Sequence, residues 1–366
     1  MDWSYPLRGL RAGSVHGPGS GVSRTGRYAT ACDLPIAAVA MACVLVCVLV
    51  PTLVGAADDP PTEVEWAIQA PLALRSLTLD VATAGDRLVA VGDRGHILVS
   101  DDSGGSWRQV QVPTRAMLTG VFFADAERGW AVGHDGVILR SQDGGESWEV
   151  MRWAPEEETP LLDLWFHDPE HGIAVGAYGL FLATSDGGTT WEERSISEDD
   201  SHLNRIAAWA NTRLYLAAER GMIHRSDDGG ASWIMLPSPY DGSFFGALAL
   251  TEDSVLVFGL RGHMYRSDDG GESWGKVETG TIAMLTDGIT LTDGRVLVVG
   301  LGGTVLLSAD GGRSFEPLAQ PNRLGIASVV QAPDGGVVVV GEGGVRRIEL
   351  PELAGAGQAQ QGGGQP

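Results

Sequence analysis

The octapeptide Ser141-Gln-Asp-Gly-Gly-Glu-Ser-Trp148 recurs along this chain. Its frame returns in Ser100-Asp-Asp-Ser-Gly-Gly-Ser-Trp107, Thr184-Ser-Asp-Gly-Gly-Thr-Thr-Trp191, Ser226-Asp-Asp-Gly-Gly-Ala-Ser-Trp233, Ser267-Asp-Asp-Gly-Gly-Glu-Ser-Trp274 and Ser308-Ala-Asp-Gly-Gly-Arg-Ser-Phe315. The aromatic ends are spaced by 41, 43, 42, 41 and 41 residues, and a fixed period of that length marks one supersecondary unit repeated in an array. Working outward, a Gly or Ala stands fifteen residues before each aromatic (Gly92, Gly133, Gly176, Ala218, Gly259, Gly300). A second Gly stands twelve before it (Gly95, Gly136, Gly179, Gly221, Gly262, Gly303). A seventh copy, Gly341-Glu-Gly-Gly344, keeps the hairpin glycines without the octapeptide. Short apolar runs bounded by Gly and Asp read as buried strands. Each unit then supplies four, as in Leu118 to Phe123, Trp130 to Val132, Val137 to Arg140 and Trp148 to Met151. One four-stranded sheet per repeat, arrayed around an axis, predicts an all-β, seven-bladed β-propeller over residues 62–353.

The ends of the array suggest how the ring closes. The last unit lacks an outer strand after Gly344 to Leu350, while Trp66-Ala-Ile-Gln-Ala-Pro71 lies 41 residues, one repeat, before Trp107-Arg-Gln-Val-Gln-Val-Pro113. The expectation is that this N-terminal strand closes the last blade, with Trp66 as a wedge, leaving no unpaired edge at the join.

Residues 1–57 carry Arg8, Arg11, Arg24 and Arg27, then an apolar run from Leu34 to Val54 and the small-residue exit Gly55-Ala56-Ala57. This is the order of a secretory signal, and the run also has the length of a membrane anchor. The chain is therefore expected to be exported, periplasmic or lumenal, with a cleaved signal peptide or an uncleaved signal anchor. The three cysteines, Cys32, Cys43 and Cys47, all fall in this leader, so the rest of the chain has no disulfide, thiolate metal site or Cys nucleophile. Residues 354–366, rich in Gly, Gln and Ala, read as a disordered tail.

Composition narrows the function classes. Lys+Arg number 25 against 47 Asp+Glu, a net charge of -22, and loss of residues 1–56, with four Arg and two acids, would take it to -24. Such a surface repels nucleic-acid phosphates, so no nucleic-acid partner is expected. In the octapeptides, Asp102, Asp143, Asp186, Asp228, Asp269 and Asp310 are read as structural: each loop offers one or two carboxylates, too few for the six to eight oxygens calcium takes. The histidines, His96 and His263 in one slot and His167 and His171 around a turn, show no metal-binding spacing. No Gly-x-Ser-x-Gly nucleophile turn occurs outside the repeated turns. The expectation is a chain with no metal, no cofactor and no catalytic residues.

The octapeptide register together with hairpins such as Ala131-Val-Gly-His-Asp-Gly136 and Ala174-Val-Gly-Ala-Tyr-Gly179 resembles the photosystem II stability and assembly factor family of seven-bladed propellers, over residues 62 to 350. The resemblance implies a non-enzymatic, lumenal or periplasmic scaffold that assists assembly or stability of a membrane protein complex, or, in a non-photosynthetic bacterium, an accessory of an envelope exporter. Sialidases and other glycosidases share the octapeptide, so a sialidase-like glycoside hydrolase stands as the alternative. The Arg-Ile-Pro-like segment that sialidases carry early in the chain does not occur here, and the acidic runs Glu156 to Glu158 and Glu198 to Asp200 read as solvated loops.

Arginine placement points to a binding face. Arg94, Arg220 and Arg261 hold one position before the second hairpin Gly in blades 1, 4 and 5, while Arg115 and Arg323 each lie eight residues after an octapeptide aromatic and Arg75 precedes blade 1. Around a closed ring, Arg323, Arg75, Arg94 and Arg115 are expected to form a basic arc, and the acidic runs to enter blades 3 and 4. A monomer, peripheral to the membrane or anchored by its N-terminal segment, that captures acidic segments of a membrane-protein subunit or envelope complex is the resulting expectation. The family is described as using an arginine patch on its propeller, and the resemblance implies a patch of that kind without assigning its residues.

Overall fold

The structure, a computed structural model, describes Glu65–Pro351; the leader and the Gly/Gln-rich tail lie outside the described residues. Seven antiparallel sheets follow one another along the chain, six of four strands and a last one of three. We number them blades 1 to 7. Blade 2 shows the pattern: inner strand Leu118–Phe123, second strand Gly129–Gly133, third strand Ile138–Ser141 and outer strand Glu149–Arg152. The seven inner strands, Thr78–Ala84, Leu118–Phe123, Leu161–Phe166, Leu203–Trp209, Phe244–Ala249, Leu285–Thr290 and Ile326–Gln331, pack in sequence around an axis, and the first also touches the last. The ring is closed.

Second strands such as Val296–Gly300 are buried on both faces, which is why they read as unbroken Val/Leu runs and not as alternating strands. Apolar side chains fill each joint between blades. In the joint of blades 1 and 2, Trp148 meets Phe123 edge-on at 6.0 Å among Val89, Val99 and Leu139. The first hairpin glycine is demanded by close approach: a Cβ on Gly92 would lie 2.3 Å from the Leu77 carbonyl oxygen. That approach follows from the bulge that interrupts the first two strands of every blade, as between Leu118 and Gly120 in blade 2 and between Leu161 and Asp163 in blade 3.

Ring closure differs from the sequence expectation. Trp66 to Ala70 does not complete blade 7, whose sheet among the described residues ends at Gly344–Ile348. The segment lies instead along the outside of blade 1, where the Ala67 N–H donates to Val112 O (2.8 Å). Side-chain amides lock it there: Gln69 Nε2 donates to Val110 O (3.1 Å), and Gln109 both donates to Ile68 O and accepts from Ala70 N–H (3.0 Å each). Trp66 is half exposed, so it is no wedge. The physical reason is visible in the joint of blades 6 and 7, which Leu318, Ile348 and Leu350 already fill. Blade 7 meets blade 1 by side-chain packing, Leu88 and Trp107 against Val338 and Ala332. The turn Ala73–Arg75 nevertheless crosses the blade 7 hairpin at the place the repeat demands, with Leu74 O against Gly344 as Thr114 O lies against Gly95.

Candidate functional site: the hairpin face of the ring

One face of the ring is built from the six octapeptide turns. In each, the Asp Oδ1 accepts the hydroxyl of the first Ser or Thr, at 2.7–2.9 Å. The N–H four residues on donates to the same Oδ1 at 2.7–2.9 Å, and the hydroxyl of that residue donates to Oδ2 at 2.5–2.7 Å. Every acceptor site of Asp102, Asp143, Asp186, Asp228, Asp269 and Asp310 that faces the turn is thus used within it. The Ser106 hydroxyl and N–H, with the Ser100 hydroxyl, hold Asp102 at about 2, and Ser273 and Ser267 hold Asp269 at about 2 in the same way. Bonds to the charged form of a carboxylate lower its pKa, so these are ionised turn staples.

The opposite face carries the turns between second and third strands and the segments that lead from blade to blade. There the middle hairpin residue takes a left-handed conformation: Arg94 (φ 57°), Asp135 (58°), Tyr178 (55°), Arg220 (54°), Arg261 (57°) and Gly302 (66°) in blades 1 to 6. An L-residue with a Cβ is disfavoured there by about 1–2 kcal/mol, and three of these positions are arginine. Their side chains project outward, Arg94 being 79% and Arg220 62% exposed. Arg115, Arg323 and Arg75 follow on the connecting segments: a Cβ on Gly95, Gly303 or Gly344 would lie within about 3.2 Å of the Cα of Arg115, Arg323 or Arg75 respectively. The arc thus runs over hairpins 6, 7 and 1, and Arg261 and Arg220 extend it to hairpins 5 and 4. Over hairpins 2 and 3 the signs reverse, with Asp135 beside Pro155–Glu157 and with Asp199-Asp200 against Gly179. Arg115 is partly engaged, its Nε donating to Trp66 O at 3.0 Å, whereas Arg75, Arg261 and Arg323 make no ion pair among the described residues. Of the histidines singled out above, His263 stacks on Tyr240 at 4.2 Å, His171 bonds Asp168 at 3.0 Å, His167 Nδ1 lies 2.9 Å from Asn211 O, and His96 is buried.

At the axis lies a cluster that sequence reasoning missed. The third residues of the inner strands are Asp80, Gly120, Asp163, Arg205, Gly246, Asp287 and Ser328, and the four charged ones converge. Arg205 reaches Asp287 at 3.1 Å, Asp80 at 3.6 Å and Asp163 at 3.8 Å. The three carboxylates also accept backbone N–H groups of the following blade, from Val121, Ile206 and Val329 at 2.7–3.0 Å. Burial raises Asp80, and it raises Asp163 to about 6 although Arg205 opposes the shift. Burial likewise disfavours the Arg205 charge, but Asp287, Asp163 and Asp80 together outweigh it and keep it protonated. The cluster ties blades 1, 2, 3, 4, 6 and 7 across the ring. Its sequence signal is a charged residue at one register position of an otherwise apolar strand. Among the described residues no group of three or more His, Cys, Asp or Glu is disposed to hold a metal.

The model of the photosynthesis system II assembly factor YCF48 family matches residues 99–160 and 153–344. The chain belongs to this family. YCF48-family membership makes it an assembly-factor propeller in general terms. Among solved structures, it is similar to one described as YCF48 bound to D1 peptide (18% identity, 77% of this chain and 94% of that one, TM-score 0.64). It is similar also to YCF48 from Cyanidioschyzon merolae (18% identity, 76% and 97%, TM-score 0.62) and to the WD40 β-propeller domain of Doa1 (15% identity, 80% and 99%, TM-score 0.61). At such identities these likenesses speak to the fold, and the Doa1 match shows that the fold is shared beyond the YCF48 family. No curated protein sequence matches.

Proposed function

We propose that this chain is an exported, non-enzymatic scaffold whose hairpin face, through Arg75, Arg94, Arg323, Arg261 and Arg220 with support from Arg115, docks acidic segments of a membrane-complex subunit. The observation that carries the reading is the use of arginine at three hairpin positions whose backbone favours glycine. Strain kept at an exposed position is a pointer to function, and arginine supplies a planar fork that bonds carboxylates bidentately and stays charged at any cellular pH. The polarised ring of hairpins, basic over blades 4 to 7 and 1 and acidic over 2 and 3, would orient the partner as well as attract it. Family membership supports an assembly role, and the D1 peptide in one similar structure supports a peptide-binding propeller.

The test uses Arg94→Glu combined with Arg323→Glu, which disturb no hydrogen bond of the described residues. The probe is a synthetic hexaglutamate peptide. The wild-type chain should bind it with an affinity that falls as salt rises, and the double variant should lose at least tenfold while its melting temperature stays within a few degrees, because exposed changes usually move stability by under ~0.5 kcal/mol. Equal binding by the two proteins would overturn the reading. Export is checked separately by mass spectrometry of the mature chain, expected to begin near Ala57; an intact leader in membranes would make residues 34–54 an anchor.

A further inference from the structure

The joints between blades are bridged by one recurring bond. A third-strand or second-strand arginine of one blade donates to the carbonyl of the fourth octapeptide residue in the next: Arg87 to Gly144 O (3.1 Å), Arg140 to Gly187 O (3.2 Å), Arg225 to Gly270 O (2.7 Å) and Arg266 to Gly311 O (2.5 Å), with Arg347 to Ser103 O at the ring closure. Among the joints that lead into an octapeptide, that of blades 3 and 4 is the exception; blade 7 has no octapeptide to receive such a bond from blade 6. The residue that pairs across from Ile173, where Arg140 pairs across from Trp130, is Ala183. No side chain donates to Gly229 O among the described residues. The acid that holds the arginine is retained: Glu149, bonded to Arg140 at 2.7 Å, has its counterpart in Glu192. The neighbours have shrunk as well, Trp130 becoming Ile173 and Thr189 becoming Ala231.

What remains is a cleft of about 770 Å³, within the size range of small-ligand sites. Its walls are Trp165 and Trp191, and its two blades are pinned by a reciprocal pair, His167 Nδ1 to Asn211 O at 2.9 Å and Asn211 Nδ2 to His167 O at 3.0 Å. We infer that this cleft is a socket for an arginine side chain of a partner polypeptide, whose guanidinium takes the place that the chain's own arginine holds in five other joints. Gly229 O and Glu192 would receive the planar group, as Gly187 O and Glu149 receive Arg140, and the indoles would flank the charge and its aliphatic stem. Arg194, now paired with Glu192 at 2.7 Å on the surface, is displaced at little loss because exposed pairs contribute little. The socket is on the octapeptide face, so it is separate from the hairpin arginines.

The experiment is calorimetry on the full chain with the peptide acetyl-Ala-Gly-Arg-Gly-Ala-amide, its citrulline counterpart, which keeps the shape without the charge, and free L-arginine. The arginine peptide should bind at least tenfold more tightly than the citrulline peptide and more tightly than free arginine. Ala183→Arg should fill the socket from within, reducing binding at least tenfold and raising the melting temperature. Glu192→Gln, at an exposed site that leaves folding intact, should weaken binding several-fold even if the Ala183 variant fails to fold. Equal binding of the citrulline peptide, or undiminished binding by both socket variants, would overturn the inference; free arginine binding as tightly as the peptide would overturn the polypeptide assignment.

Discussion

On the octapeptide face, six turns repeat the same Ser/Thr–Asp bond within 2.7–2.9 Å, whereas on the hairpin face the equivalent position is Arg, Asp, Tyr, Arg, Arg and Gly in successive blades. The first face obeys local chemistry. Hydroxyl, carboxylate and glycine stand where a tight turn has unpaired N–H groups and positive φ. The second face departs from local chemistry, since glycine would suit every one of those φ values. Where a repeat conforms, its residues hold the ring together; where it departs from what the backbone prefers, binding is the explanation to test.

The comparison breaks if the conforming face can be stripped without consequence. Trp148→Ala should lower stability by about 3–5 kcal/mol, as buried aromatic truncations do, measured as a shift in denaturant midpoint. A change under about 1 kcal/mol would mean that the octapeptide aromatics decorate the joints and do not seal them.

Acid titration sharpens it. Asp102 and Asp269, held at about 2 against an ordinary 3.8, contribute stability that is fully present above the ordinary value and lost as pH falls through 2. Asp163 runs the other way: its folded-state value of about 6 lies above 3.8, so the native state binds the proton more tightly, and stability falls as pH rises from about 4 to 6 and is level above. Asp163→Asn should therefore make the pH 4–6 limb of the melting curve shallower, by of the order of 3 kcal/mol, and leave the acid limb below pH 4 untouched. An unaltered slope between pH 4 and 6 would remove the axial cluster from the account.

Much of this was legible in the residues, for a physical reason. A propeller blade is a local unit, so its turns and strands follow from neighbours in sequence, and blades 1 to 6 appear where the period puts them. The position of Trp66 to Ala70 was misread because likeness to Trp107 to Val112 says which strand a segment resembles, not which edge offers it free carbonyls; Val112 O and the Gln69–Gln109 amides decided that. The Arg205 cluster joins residues up to 207 positions apart, and only closure of the ring brings Asp80 to Asp287. The socket at Ala183 was readable in principle, by setting Arg140, Ala183, Arg225 and Arg266 in one column of the repeat, but its meaning needed the carbonyl that the other arginines reach. The arginines of the hairpin face were found by position alone; their left-handed backbone was not visible in composition or spacing.

The most direct test of the claim that the hairpin face is given to binding is one experiment on one variant, Arg94→Gly with Arg220→Gly and Arg261→Gly. Relief of the left-handed strain should raise stability by up to about 1 kcal/mol per site, read as a higher melting temperature, while affinity for the hexaglutamate probe falls at least tenfold. A variant that melts lower and still binds the probe as the wild type does would contradict the account.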